Sequence, residues 1–308
     1  MSPSPAVTIV TVTFRSRDFI GRCLDAIAAG TEAPVQIVVV DNDSDDGTAD
    51  LVEQTHPEVE VVRSGGNLGF AKGVNLGARQ AEAPYILLLN PDTQVAPGSI
   101  DLLLDLAAQH PEARVYGGVS VDADGVPDDL GSWNLPSLWS SVCFATGLNT
   151  LFPSSPRFNP GMHRAPTGDR PVPVPAISGA FQLIERRLWE QLGGLDERFF
   201  MYGEDVDWAL RARAAGASPL VAPAARLIHE VGASSSSENK RVMVCRGNVT
   251  VMASHWPTPK RQLGTGLLLA GVFLRGVIGN GVRRLLGREP EASWAAAWRR
   301  RREWLTGW

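Results

Sequence analysis

Short β-branched and apolar runs alternate with stretches of helical spacing over the first hundred or so residues. Val7 to Phe14 (VTIVTVTF), Val35 to Val40 (VQIVVV), Val59 to Val62 and Tyr85 to Leu89 (YILLL) read as buried strands. Between them, Arg17 to Ala29, Thr48 to Gln54, Gly69 to Ala81 and Ser99 to Ala108 have the 3–4-residue apolar spacing of helices. Alternation of this kind predicts an α/β fold, a mostly parallel sheet with helices on both faces. Ligands of such sheets sit outside the carboxyl ends of the strands. The polar clusters fall there: Asp41 to Asp46, Gly65 to Asn75, and Asn90 to Thr93.

Periodicity fades from Pro127 to Pro175, where proline, serine and aromatic residues dominate; a short helix is expected near Leu138 to Phe144. Regular structure resumes at Ser178 to Arg186. A helix at Asp205 to Ala215 follows, then short strands at Pro219 to Ala222 and Arg226 to His229. The pattern therefore predicts one domain over 1–256, with an irregular excursion at 127–175, and a helical extension over 257–308.

The 308 residues are 44% hydrophobic and 20% charged, which excludes wholesale disorder. The net charge of -4 excludes a whole-chain basic footprint for nucleic acid. It hides an asymmetry: Lys260 to Trp308 carries ten Lys/Arg against three Glu, with four of the nine tryptophans. Leu263 to Val282 is apolar but contains Arg275, Asn280 and six glycines, so a helix packed on the domain or lying at a membrane is favoured over a spanning one. Ser293 to Trp308 suits an interfacial helix, with Trp294, Trp298, Leu305 and Trp308 near one face. The bland alternative is a helix closing the core with a solvated arginine face. The N-terminus has no basic segment before its apolar run and reads as a first strand. Cys23, Cys143 and Cys245 form neither a disulfide framework nor a zinc pattern, which points to a reducing compartment.

Each candidate motif has a structural alternative. Asp92, after a strand and a proline turn, suits a divalent metal completed by diphosphate oxygens, or a plain turn. Asp122 to Gly125 reads as a hairpin turn. Asp41 to Thr48 is very acidic but lacks the EF-hand spacing and its closing Glu; Asp45, Asp46 and Thr48 suit a helix start, whereas Asp41 at the strand end could accept from a base N–H. Gly65 to Asn75 is glycine-rich before a helix, without the P-loop or dinucleotide pattern. Glu204, Asp205 and Asp207 put three carboxylates within four residues, which suits either function or a helix N-terminus. His229 alone is more often structural than a ligand.

Taken in order, Thr11-Val12-Thr13-Phe14, Val39-Val40-Asp41-Asn42, Asn67-Leu68-Gly69-Phe70, Asn90-Pro91-Asp92 and Glu204-Asp205 resemble the family 2 glycosyltransferases of the GT-A fold. The resemblance covers roughly Val7 to Trp256. The N-P-D form, G-G-L-D-E-R-F-F-M-Y-G-E-D-V-D and I-H-E-V-G-A-S-S look like the bacterial rhamnosyltransferase branch that acts on lipid-linked cell-wall or O-antigen intermediates. It implies that Thr13, Phe14 and Asp41 line the nucleotide base, that Asn67 and Lys72 lie near ribose or diphosphate, and that Arg246 reaches the diphosphate. It further implies Mg²⁺ or Mn²⁺ on Asp92 and His229, Asp205 as general base, and Glu204, Asp207 and Trp208 on the acceptor side. The implied reaction is inverting transfer, with L-rhamnose from dTDP-L-rhamnose as the expected donor group. The implied acceptor is a polyprenyl-diphosphate-linked glycan at the inner leaflet, with the enzyme cytoplasmic and peripheral through its C-terminal helices. Alternatives are a UDP-sugar or GDP-mannose donor, a sugar-nucleotide pyrophosphorylase, or an inactive nucleotide-binding assembly protein. Two positions depart from the family pattern. Arg15 replaces the usual Asn, and Asn90, a weaker metal ligand, replaces the first acid of D-x-D.

Overall fold

The structure, a computed structural model, describes residues 4–122, 124–229 and 237–308. In chain order the first elements are β1 (Val7–Thr13), α1 (Arg17–Gly30), β2 (Val35–Asp41), α2 (Thr48–Thr55), β3 (Glu60–Arg63), α3 (Phe70–Ala78), β4 (Tyr85–Leu89), β5 (Thr93–Val95), α4 (Ser99–Gln109) and β6 (Val115–Val121). The middle of the chain holds β7 (Ser132–Trp133), α5 (Leu138–Thr146), α6 (Leu148–Leu151), β8 (Val172–Pro173), β9 (Ala176–Ile177), β10 (Phe181–Glu185), α7 (Arg186–Leu192), α8 (Glu204–Ala214) and β11 (Leu220–His229). The remainder is helical: α9 (Ser237–His255), α10 (Thr258–Phe273), a π turn (Leu274–Gly279), α11 (Asn280–Leu285), α12 (Ala292–Arg299) and α13 (Arg301–Trp304). The contacts divide the described residues into two compact units. One draws on Met1–Trp133, His163–Phe200 and Trp208–Ser234, the other on Asn134–Met162, Met201–Asp207 and Ser235–Trp308. The irregular stretch at 127–175 is thus shared between them.

The α/β unit is built on a sheet in the order β3-β2-β1-β4-β10-β6-β11-β5, with β8 also paired to β11. The pairs β1–β2, β1–β4, β2–β3 and β6–β11 are parallel, while β10 runs antiparallel between β4 and β6. Every residue of β1 and β6 is buried, as the unbroken apolar runs require of strands covered on both faces. Successive side chains point to opposite faces. Val7, Ile9, Leu87 and Leu89 pack with Ile20, Leu24 and Ile27 of α1 and with Ile100, Leu103 and Leu106 of α4. On the other face, α3 sits close to the strands because Gly73 and Gly77 lack side chains. A Cβ at Gly77 would fall 2.6 Å from Val10 Cγ1 and 2.9 Å from Val40 Cγ2. The two short strands expected at 219–229 form a single β11, whose register shifts between Val221 and Arg226.

The second unit is helical. Val242, Cys245, Val249 and Met252 on α9, with Trp256, Leu268, Val272, Ala297 and Trp304, form its core. Of the two readings of 293–308, the packing of its tryptophans agrees with the segment that closes a core. The segment breaks into α12 and α13. Trp304 is fully buried and its Nε1 donates to Ala297 O at 2.8 Å. Trp294 packs on Phe144, Trp298 packs on Phe273, and Arg246 stacks on Trp308. The rings therefore close this unit's own core. All three cysteines are buried and free.

Candidate functional site

At the carboxyl ends of β1 and β2 the register pairs Thr13 with Asp41. The Thr13 hydroxyl donates to Asp41 Oδ1 at 3.1 Å, and Oδ2 accepts from the Ser44 N–H at 3.1 Å. The next residue, Asn42, reaches across to the glycine-rich loop. Its Nδ2 donates to Gly69 O at 3.0 Å and its Oδ1 accepts from Leu68 N–H at 3.0 Å. Asn67 Oδ1 accepts from Gly69 N–H, holding the loop's own turn. Gly69 has φ +83°, and a Cβ there would meet Phe200 O at 2.4 Å. Only glycine fits that approach. The result is a cradle of ordered backbone at the strand ends, leading into the N-terminus of α3. Lys72 is exposed on the first turn of that helix, and Phe14 is half-buried beneath the Arg15 guanidinium.

The position that departs from the family pattern is occupied in an informative way. Arg15, at φ +52°, makes a two-pronged pair with Asp45, Nε to Oδ1 at 2.7 Å and Nη2 to Oδ2 at 2.8 Å. That pair holds the Asp45 carboxyl below its ordinary range. Of the three residues expected at the start of α2, Asp45 is taken up by Arg15, while Asp46 accepts from Thr48 N–H at 3.0 Å.

Asp92 follows β4, and His229 ends β11. They meet because β5 pairs antiparallel with β11 in a register that sets His229 opposite Thr93. His229 Nε2 lies 3.4 Å from Asp92 Oδ1. Its Nδ1 is buried and, among the described residues, has no hydrogen-bond partner. An imidazole nitrogen this close to a carboxylate is a pair that could share a divalent cation. Among the described residues no group of three or more His, Cys, Asp or Glu forms a metal cluster, so substrate oxygens would have to complete the shell. The stretch after His229, carrying most of I-H-E-V-G-A-S-S, lies outside the described residues.

In the helical unit, the turn before α8 is strained, with Tyr202 at φ +70° and Gly203 at φ +101°. Gly247 on α9 approaches this turn so closely that a Cβ would lie 2.0 Å from Tyr202 O. The three carboxylates separate in role. Asp207 is buried and accepts from His255 Nε2 at 2.7 Å. Glu204 is buried with Oε2 unpartnered, and burial, then the charge of Asp205, push its carboxyl well above the usual range. Asp205 is the one left partly accessible, with Oδ1 accepting from Val206 N–H at 2.8 Å.

Glu204, Asp207 and Trp208 are the residues expected on the acceptor side. Glu204 and Asp207 are buried, and Trp208 is a core ring of the α/β unit, 5.9 Å from Trp189. Arg246, expected near the diphosphate, donates from Nε to Gly307 O at 2.7 Å and stacks its guanidinium on Trp308. Sequence reasoning gave no role to Asn42 or His255. Asn42 stood inside a recognised motif, which was the available signal. Nothing in the sequence linked His255 to Asp207.

The profile of glycosyl transferase family 2 matches residues 8–192. The chain belongs to that family. This glycosyltransferase is 34% identical, over 72% of its own chain and 75% of the relative, to the N-acetylglucosaminyl-diphospho-decaprenol L-rhamnosyltransferase of Mycobacterium tuberculosis. It is 26% identical to the rhamnosyltransferase WbbL of Escherichia coli, over 72% of its chain and 83% of that protein. Among solved structures it resembles GalNAc-T7 with UDP, GalNAc and Mn²⁺, at TM-score 0.62 and 15% identity, covering 96% of this chain and 56% of that one. It also resembles the mannosyltransferase PcManGT of Pyrobaculum calidifontis with GDP-Man and Mn²⁺, at TM-score 0.57 and 18% identity, covering 99% and 84%. The glycosyltransferase thus has the GT-A fold expected from its motifs, and it is similar to the bacterial rhamnosyltransferases of cell-wall and O-antigen synthesis.

Proposed function

We propose that this glycosyltransferase moves L-rhamnose from dTDP-L-rhamnose to a hydroxyl of a polyprenyl-diphosphate-linked glycan, with inversion, at the cytoplasmic face of the membrane. The observation that carries the reading is the Asp92–His229 pair, a carboxylate and an imidazole nitrogen 3.4 Å apart at the strand ends. The sugar and acceptor rest on similarity to the mycobacterial relative.

Thr13, Phe14 and Asp41 would take the nucleotide base. Asn67 and Lys72 would lie on the ribose and diphosphate side, where the helix N-terminus favours negative charge. Asp92 and His229 would hold Mn²⁺ or Mg²⁺, which when bound offsets charge on the leaving diphosphate. The acceptor hydroxyl is a poor nucleophile at neutral pH, so Asp205 would take its proton as it attacks the anomeric carbon. Burial and then the charge of Asp205 push the Glu204 carboxyl upward, which favours its neutral form beside the proposed base. One base and one displacement give inversion without a covalent nucleophile.

The test is nucleoside diphosphate release by purified protein with Mn²⁺ or Mg²⁺, using dTDP-rhamnose, UDP-galactose, UDP-GlcNAc and GDP-mannose. The acceptor is detergent-dispersed polyprenyl-diphosphate-GlcNAc. Acceptor-dependent release from dTDP-rhamnose alone is expected. Release from another donor would keep the chemistry and discard the sugar. Nucleotide binding without turnover of any donor would refute the proposed transfer to this acceptor.

A further inference from the structure

The helical unit exposes apolar side chains along its longest helical segment. Thr258–Leu285 runs as one 28-residue helical segment through the π turn, about 42 Å long. Its inner side is buried at Gly264, Leu268, Gly271, Val272, Gly276 and Asn280. Its outer side presents Leu263, Phe273, Val277, Ile278, Val282 and Leu285, each 37–88% exposed. Exposed Gly266 and Ala270 fill the gaps, so positions 263, 266, 270, 273 and 277 form one helical stripe. The π turn widens the stripe, leaving both Val277 and Ile278 outward.

The charge within this segment is turned inward. Arg275 donates to Phe144 O, Gly271 O, Asn149 Oδ1 and Thr150 Oγ1, so its guanidinium is absorbed by the unit itself. Asn280 is held on the same inner side by Gly276 O and by Glu291 O and N–H. These bonds fix which side faces out and oppose threading the helix through a bilayer. The outer stripe is uncharged from Leu263 to Val282. Basic residues stand at both ends, Lys260 and Arg261 at one and exposed Arg283, Arg284 and Arg288 at the other. No carboxylate side chain occurs from residue 239 to residue 288. An apolar strip with cations at both ends complements an anionic headgroup layer met side-on, where both ends of the helix lie at the same depth.

We propose that the outer face of 263–286 seats the glycosyltransferase flat on the surface of an anionic bilayer leaflet, its apolar side chains entering the interface and Arg283, Arg284 and Arg288 meeting lipid phosphates. This deepens the proposed function, on which it rests for placing the acceptor in a lipid layer. It assigns the membrane contact to α10 and α11, not to the tryptophan-rich segment.

The experiment is co-sedimentation of the full chain with phosphatidylcholine vesicles, with and without phosphatidylglycerol, at low and high salt. Wild type is expected to bind the anionic vesicles, more weakly at high salt. I278E/V282E and R283E/R284E are each expected to weaken binding about tenfold or more, with unchanged circular dichroism and Tm. R299E/R302E on the tryptophan-rich segment is expected to bind as wild type. Wild-type binding by I278E/V282E would overturn this face as the seat. So would a concentration-dependent dimer, in sedimentation velocity without lipid, that I278E/V282E dissolves; the occupant would then be a second copy of the chain. Failure of wild type to bind either vesicle would overturn the seat even if a detergent-dispersed acceptor is glycosylated. Vesicle binding without turnover of any donor would sink the proposed reaction and leave the seat standing.

Discussion

Replacing Glu204 with Gln should stabilise the protein, increasingly so as pH rises from 5 to 8. The Glu204 carboxyl is fully buried, its Oε2 has no partner, and Asp205 is adjacent. Burial first and that charge second raise its pKa to about 8. An unfolded chain releases the proton near 4.3, so between those values the folded state holds a proton that the unfolded state has lost. Stability therefore falls as pH rises through that window, the reverse of the usual carboxylate case. Each unit of separation is worth about 1.4 kcal/mol, giving a ceiling of about 5 kcal/mol. Relaxation and titration shared with Asp205 take up part of this, so an effect on the order of 2 kcal/mol is expected by pH 8, roughly 3 °C in Tm. Gln is neutral throughout and keeps a carbonyl oxygen for the neighbouring backbone N–H groups. The assay is thermal unfolding of wild type, E204Q and D205N across that range. Wild type should lose Tm with rising pH, E204Q should be flatter, and D205N should fall between them. Parallel profiles for wild type and E204Q would refute the reasoning.

Asp205→Asn should cut transfer by about 10²–10⁴-fold while nucleotide binding, read by calorimetry, persists; lost binding would make Asp205 structural. Asp92→Asn and His229→Gln should each weaken Mn²⁺ binding at least tenfold by titration calorimetry, with little change in Tm. Asn42→Ala strands Leu68 N–H and Gly69 O, each costing about 1–3 kcal/mol if left unpaired, and should weaken nucleotide binding before it alters kcat. Gly247→Ala forces a methyl onto Tyr202 O and should destabilise by about 1–3 kcal/mol, measured as a lowered Tm.

Most of the sheet was readable because β1, β2 and β4 are unbroken apolar runs whose polar residues begin where the strands end. Asp41 and the glycine-rich turn were found on that ground and Thr13 through the family resemblance, and the structure sets Thr13 beside Asp41 and links Asn42 to the turn. The link between Asp92 and His229 is a pairing of remote segments, which no local pattern encodes; it came only with the family resemblance. The acidic turn could not be sorted from sequence for a physical reason. Carboxylates crowded at a helix start look alike, yet Asp207 is buried on His255 and Glu204 is buried with its carboxyl pushed upward by burial and by the charge of Asp205. The tryptophans left two readings open, since an amphipathic arginine-rich segment reads the same whether its rings meet lipid or a neighbouring helix. What separated the two was Arg275, whose inward turn leaves the outer face of α10 bare.

The antiparallel register of β5 on β11 also sets a schedule for folding. β11 is the last strand in the chain, yet it lies inside the sheet between β6 and β5. Until it docks, β5 lacks its partner and Asp92 lacks His229. Contacts so distant along the chain close late, after local elements have formed. The residues matched by the family profile end before β11, so that stretch alone holds one half of the pair. Mn²⁺ affinity during refolding would therefore report the arrival of the final strand, and the metal would act as a clasp that rewards completion of the sheet.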